Sequence, residues 1–416
     1  MILILFAALG IAWRLRNYLA AKSVWLDEVS LATEMERLSM YELLTGPLGR
    51  FQVAPPGYLF FSKIVTSLTP MNEFTLRIVP FAGSVIGVLI GFWIARRAVR
   101  LSLPARVIFL GLLAVSPVLG LYAAEAKQYG LDATITLSLL ALVLTERPLI
   151  ERWKTLAAGG AIALWFSHPA LFTLAAVGVA LLMEHESRAT AKDRRRCFFV
   201  FGAWALACFV VFGPLFVEGG PSARLHSYWR AGFAPGWPAS FEELRWYPRS
   251  ILNFMQVAFG PARRYGIGSF DPQWTLPSGG FFALFIVGWL SLRTVWPRLA
   301  LISATMLLGA IGAAILSAYP FRGRLLYIPS PDRVSLCWRV FPCVATMARY
   351  TNSPGVELDR DSARRRGGEG MVSSIPQTSG PAGHGVHWSF TEVDRSLLPS
   401  PSNWERVRIL SSAGRH

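Results

Sequence analysis

The stretch Ile78–Ala95 reads IVPFAGSVIGVLIGFWIA and is closed at once by Arg96-Arg97. It carries no charge and matches the ~18 residues an α-helix needs to cross ~30 Å of hydrocarbon. A chain in lipid must satisfy its backbone internally, and nothing here alternates as barrel strands would, so the spans are helical. The same reading extends outward. Val107–Leu121, Phe198–Val217, Phe281–Trp296 and Leu299–Ala318 are apolar runs of similar length, and Tyr129–Leu144, Leu156–Phe166 and Ala170–Leu182 are shorter ones. With a first span in Met1–Trp13, they predict an all-α, polytopic transmembrane bundle of about nine spans with external juxtamembrane helices. Met1–Trp13 lacks the positive n-region of a secretory signal and reads as a first span rather than a cleaved leader.

Composition agrees. The 416 residues are 53% hydrophobic and only 16% charged, where soluble chains carry about a quarter charged residues. The net charge of +16 comes from 41 Lys and Arg against 25 Asp and Glu. These basic residues sit in short loops beside apolar runs, with no basic-aromatic module, so no nucleic-acid partner is expected. Cys197, Cys208, Cys337 and Cys343 have no zinc spacing and no pair in the outer loops, so neither a cysteine zinc site nor a structural disulfide is expected, and a need for another divalent metal is left open.

Topology turns on Gly57–Leu68. About a dozen residues cannot span, so this segment reads as interfacial or re-entrant. If it does not cross, the loops with Arg96, Arg97, Arg100 and Arg106, with Arg147, Arg152 and Lys154, and with Arg188 and Lys192–Arg196 share one side, joined by Arg293 and Arg298. The loops between hold only Lys127. Excess Lys and Arg in short loops marks the cytoplasmic side. That puts Arg14–Thr75 and the long loop Glu218–Gly279 outside, in a plasma (inner) membrane with the polar face external or periplasmic. After Leu326 the apolar pattern collapses. Residues 1–327 read as the transmembrane domain. Residues 328–416, rich in Arg, Gly, Ser and Pro, read as a disordered tail, a natural terminus or the product of a truncation or reading-frame change.

Polar residues gather on the outer side. Trp25-Leu26-Asp27-Glu28 follows the first span. Adjacent carboxylates at a membrane surface are often only solvated or part of a helix N-terminal turn, but one that reaches a hydroxyl can serve as general base. Ala54-Pro55-Pro56-Gly57-Tyr58 stiffens the approach to the interfacial segment. Ser116-Pro117 precedes Tyr122-Ala123-Ala124-Glu125-Ala126-Lys127-Gln128-Tyr129, where the Lys either anchors the helix or holds a lipid phosphate. His168 lies between two short apolar runs, at a turn that is structural or set in a cavity. Arg322 and Arg324 follow the last span outside, against the usual charge bias; they snorkel or bind phosphate.

This order resembles the GT-C superfamily of polyprenyl-phosphate-sugar-dependent glycosyltransferases. By pattern it is nearest the protein O-mannosyltransferases and the lipid A aminoarabinose transferases. The elements are an external Trp-x-Asp-Glu, a Pro-Pro before an interfacial helix, Leu76-Arg77 leading into the next span, a Ser-Pro…Tyr…Glu-x-Lys-x-Tyr, and a Gly-Arg after the last span. The resemblance covers Met1–Tyr327. It implies transfer of a sugar from a polyprenyl-phosphate donor to a glycan, lipid or protein acceptor on the outer face, with membrane lipids as partners. Asp27 would be the general base and Glu28 would orient the acceptor or Asp27. Lys127, Arg324, Arg322 and Arg77 would hold the leaving phosphate, and Glu125, Tyr129 and His168 would contact substrate. A single displacement would invert the anomeric centre. Trp229, Trp237, Trp246 and Trp274 of the long loop either cover the acceptor or anchor at the interface. Two features depart from the pattern: Lys127 stands where the family commonly has Arg, giving up a bidentate fork, and no further spans follow the Gly-Arg. A transporter or flippase and a non-catalytic or inactive product are the competing readings, though no paired repeats or mid-membrane charges stand out.

Overall fold

The computed structural model describes residues 1–46, 48–49, 52–98, 100–144, 147–186, 190–217, 226–227, 229–259 and 275–321. The tail at 328–416 lies outside them, as do Arg322, Arg324 and Trp274. The described residues form helices and no β-strand. We number them α1 (Ile2–Leu19), α2 (Leu26–Arg37), α3 (Met40–Thr45), α4 (Pro56–Leu68), α5 (Glu73–Arg97), α6 (Leu103–Val115), α7 (Pro117–Tyr122), α8 (Tyr129–Val143), α9 (Trp153–Phe166), α10 (Ala170–Glu186), α11 (Ala191–Val217), α12 (Phe241–Phe259), α13 (Thr275–Val295) and α14 (Pro297–Ile315). Five of these, α1, α5, α11, α13 and α14, are long and apolar enough to cross a membrane by themselves, and α6, α8 and α10 are shorter apolar helices. Helix α4 has 13 residues. It is too short to span, as the charge argument requires.

Helix α5 sits at the centre, against α1, α6 and α8. Asn72 caps it, its side chain accepting from the Phe74 and Thr75 amides at 2.9 and 3.0 Å, while its own amide donates to Thr75 Oγ1 at 2.9 Å. That reciprocal pair satisfies backbone donors that have no partner inside the helix. Gly83, Gly87 and Gly91 form a stripe along α5, where an added Cβ would meet Leu131, Thr134 and Leu113. Small residues of this kind let helices in lipid approach closely, since packing rather than water drives them together.

The sequence pattern did not single out Arg14, yet it is 1% exposed within α1. Its Nε donates to Ser84 Oγ at 2.8 Å, and its terminal nitrogens donate to the carbonyls of Gly10, Leu113 and Ala114 at 3.0–3.1 Å. The reason lies in Pro117. A proline has no N–H, so the Leu113 carbonyl four residues earlier loses its helical donor, and the α6 to α7 break leaves Ala114 in the same position. The guanidinium, with its five donors, covers both and ties α1, α5 and α6 together.

The two ends of the bundle differ. At one end Arg298 pairs with Glu184 and donates to the Arg147 carbonyl, Glu184 accepts from the Leu149 amide at 2.8 Å, and Trp296 packs on Ala98, Leu101 and Ala105. This is the Arg-rich end. At the other, α4 meets α9, with Phe60 and Trp165 ring centroids 6.1 Å apart. Gly57 is required at that crossing, because a Cβ there would lie 2.9 Å from the Trp165 carbonyl oxygen and from the Phe166 ring. A second, smaller core of Val24, Leu31, Met35, Leu43, Tyr58, Leu59 and Leu76 sits under α2–α4 at this end. It holds the polar residues in place.

Candidate functional site

Trp25 is the N-cap of α2 and places Asp27 and Glu28 in its first turn, where the helix dipole favours carboxylates. Neighbours on a helix point about 100° apart, and the two acids divide accordingly. Glu28 is 1% exposed, while Asp27 is partly exposed. Both Glu28 oxygens are occupied. Oε1 accepts from Arg77 Nε at 2.9 Å and from the Ala126 amide at 2.7 Å, and Oε2 accepts from Arg77 NH2 at 2.8 Å and the Trp25 amide at 3.1 Å. This bidentate, charge-assisted pair is the strong form of such a contact.

Arg77 stands in the second turn of α5, 2% exposed. Its remaining donors go to the Lys22 carbonyl at 2.5 Å and the Ser23 carbonyl at 3.5 Å. The sequence grouped Arg77 with the phosphate-holding cations. In the structure its guanidinium clamps Glu28 and the turn after α1.

The loop between α7 and α8 carries the next three candidates. The Ala126 amide is fixed by Glu28, so the carboxylate ties α2 and α5 to this loop. One residue away on either side of that hydrogen bond stand Asp27 and Lys127. Lys127 is 6% exposed, and its ammonium donates to the side-chain oxygen of Gln52, with the Lys127 amide on the Glu125 carbonyl at 2.7 Å. Glu125 is half-buried in the same turn. Tyr129 opens α8, its ring 4.9 Å from that of Tyr122. Asp27, Glu28, Arg77, Glu125, Lys127 and Tyr129 are therefore brought to one end of the bundle.

His168 is not joined to this group by any described contact. It lies in the turn between α9 and α10, its ring 5.1 Å from Phe212, and burial lowers its pKa to about 4. At pH 7 it is neutral. Arg322 and Arg324 fall outside the described residues. Of the loop tryptophans, Trp229 and Trp246 lie near the C-terminal end of α14, where the Ala234 amide donates to Ala314 O at 3.1 Å and Trp246 Nε1 to Ala231 O at 3.2 Å. Trp237 is 89% exposed. Among the described residues no group of three or more His, Cys, Asp or Glu gathers as a metal would need.

Sequence reasoning passed over two further residues. Tyr58 was read only as part of a stiff turn. It is fully buried behind Glu28 and near Tyr129, and that burial pushes its phenol pKa up. Gln52 carried no signal at all. Its part emerges only from the contact with Lys127, 75 residues away.

A search of solved structures places the fold. The chain shares its architecture with ArnT from Cupriavidus metallidurans. The apo structure of that protein aligns at 14% identity with a TM-score of 0.51. The structure bound to undecaprenyl phosphate aligns at 16% identity with a TM-score of 0.50. Each alignment covers 84% of this chain and 62% of ArnT, so the chain spans less than two thirds of the length of the protein it matches. ArnT is a lipid A aminoarabinose transferase, one of the two families the sequence resembles. No family model and no curated protein matches.

Proposed function

We propose that this chain is a membrane glycosyltransferase that moves a sugar from a polyprenyl-phosphate donor to an acceptor hydroxyl at the outer face of the plasma (inner) membrane. One observation carries the reading. A single buried hydrogen bond, Glu28 Oε1 to the Ala126 amide at 2.7 Å, fastens together the two segments that present a partly exposed carboxylate, Asp27, and a cation, Lys127. A carboxylate and a cation at one end of an apolar bundle suit a reaction that deprotonates a hydroxyl and releases a phosphate. The likeness to a fold solved with undecaprenyl phosphate bound supports the donor class.

The chemistry runs as one displacement. The acceptor oxygen attacks the anomeric carbon as the bond from that carbon to the phosphate oxygen breaks. The electron pair leaves with the phosphate, and the hydroxyl proton passes to Asp27. The anomeric centre inverts. The leaving group is already weakly basic, so stabilising its negative charge matters more than protonating it. Lys127 takes that role, with Arg322 and Arg324 as further cations. Glu28 and Arg77 hold Asp27 and Lys127 in register and do not meet the sugar. Glu125 and Tyr129 border the acceptor.

The test is transfer of radiolabelled sugar from a panel of polyprenyl-phosphate sugars, in membranes holding this chain or its Asp27→Asn variant. Asn keeps the shape and removes the base, so transfer should fall by about 10²–10⁴. Equal transfer in both would remove Asp27 from the role. No transfer from any donor by well-expressed protein would sink the reading.

A further inference from the structure

We infer that Gln52 is a positioning residue that sets how tightly the donor phosphate is held, by presenting the Lys127 ammonium to the site on a neutral oxygen; this rests on Lys127 being the phosphate cation. Two consecutive residues of the α7–α8 loop are stitched to two consecutive residues ahead of α4. Lys127 Nζ donates to Gln52 Oε1, and Gln128 Nε2 donates to the Val53 carbonyl at 3.4 Å. The backbone at Lys127 has its own anchors in the Ala126 amide on Glu28 and the Lys127 amide on Glu125 O. Gln52 therefore acts on the side chain alone. Its own position is stiff, because Pro55 and Pro56 follow within the same strap and Gly57 is packed on α9.

The choice of an amide has a chemical meaning. A carboxylate at this position would form a full ion pair with Lys127. An incoming phosphate would then have to displace a charge and would be repelled by it. The amide oxygen supplies only a dipole. It orders the long lysine side chain, whose rotational freedom would otherwise be lost on binding, and it adds no negative charge of its own beside the ammonium. The ammonium has three donors and can turn to phosphate oxygen with little movement.

The experiment measures binding of undecaprenyl phosphate, with undecaprenol as a control lacking the phosphate, to the full chain in nanodiscs. Gln52→Glu should weaken undecaprenyl phosphate roughly tenfold or more, as an added unit charge a few ångströms away requires, and leave undecaprenol unchanged. Gln52→Ala should weaken it by a few fold through loss of ordering. In a Lys127→Ala background, Gln52→Ala should have no further effect, which a merely structural residue would not satisfy. Thermal midpoints of the Gln52 variants should match the parent, because the Glu28–Arg77 anchor is untouched. If Lys127→Ala loses affinity while both Gln52 variants bind like the parent, the Gln52 inference is overturned and the phosphate role of Lys127 stands. If Lys127→Ala binds like the parent, the phosphate reading of Lys127 fails, and the inference with it.

Discussion

Replacing Arg77 with methionine keeps most of the side-chain volume and removes the positive charge that faces Glu28. Glu28 is 1% exposed and would lose its donors at 2.9 and 2.8 Å, keeping only the Ala126 and Trp25 amides. Breaking one side of a buried pair leaves a charge without its partner, which costs about 3–5 kcal/mol. At about 2 °C per kcal/mol for a chain of this size, the unfolding midpoint in detergent should fall by about 6–10 °C. Function should fall further than stability implies. With Glu28 displaced, the Ala126 amide is no longer held, and a shift of about 1 Å between base and cation can cost 10²-fold in rate. The decisive comparison is a double replacement, Glu28→Leu with Arg77→Met. Removing both charges removes the uncompensated one, so the double variant should unfold at a higher temperature than Arg77→Met alone. It should regain stability without regaining transfer, since a leucine cannot hold the Ala126 amide. An unchanged midpoint in Arg77→Met, or a double variant no more stable than the single, would refute the claim that this pair anchors the site.

Other substitutions follow from the same contacts. Arg14→Leu strips donors from the Leu113 and Ala114 carbonyls in a buried setting and should destabilise the chain by about 2–4 kcal/mol, read as a lowered midpoint with no selective loss of donor binding. Gly57→Ala sets a Cβ 2.9 Å from the Trp165 carbonyl and should cost about 1–3 kcal/mol, measured in the same way. His168 is held near pKa 4 in the folded chain, below the ~6.5 of an unperturbed histidine. The unfolded chain therefore takes up the proton first, and folded stability falls as pH drops from about 6.5 towards 4. The loss at pH 5 should be about 1–2 kcal/mol, the lower figure allowing for the part of the ring that solvent reaches. His168→Gln should flatten that slope in thermal unfolding at pH 7 and pH 5. Lys127→Arg should retain phosphate binding within a few fold, since Arg also carries the charge and offers a bidentate fork, whereas Lys127→Met should lose it.

How far the sequence carried depends on the kind of information needed. Spans and their order are local properties, so Ile78–Ala95 and its counterparts could be read from hydropathy alone, and α4 could be set apart by length. The grouping of Asp27, Glu28 and the loop at 122–129 at one end followed from charge asymmetry between loops. Contacts between distant segments could not be read in that way. Arg14 was only the first residue of the stretch Arg14–Thr75, because its partners, the Leu113 and Ala114 carbonyls, are about a hundred residues away. Gln52 is a neutral residue in a polar stretch, and only the folded strap gives it meaning. Arg77 was grouped with Lys127 through the resemblance, and its contacts with Glu28 and the turn after α1 could not be read from hydropathy, which says which end a cation occupies and not which way it faces.

In the proposed reaction the two adjacent acids divide a structural need and a chemical one within the same turn. A base must reach a substrate, so it must be partly exposed, and an exposed side chain on a short helix at the membrane surface is poorly held. A side chain that fixes that helix must be buried, and a buried carboxylate requires a cation and hydrogen bonds of its own. One residue cannot meet both demands. Placed side by side in the first turn of α2, Asp27 and Glu28 point about 100° apart, so Glu28 enters the protein to meet Arg77 and the Ala126 amide while Asp27 remains at the surface. The pair is therefore not interchangeable. Exchanging the order, Asp27→Glu with Glu28→Asp, conserves charge and composition. It shortens the buried arm by one methylene, pulling its oxygens away from the Ala126 amide. If the reasoning holds, this exchange lowers both the unfolding midpoint and sugar transfer, whereas Asp27→Glu alone lowers transfer and leaves the midpoint where it was.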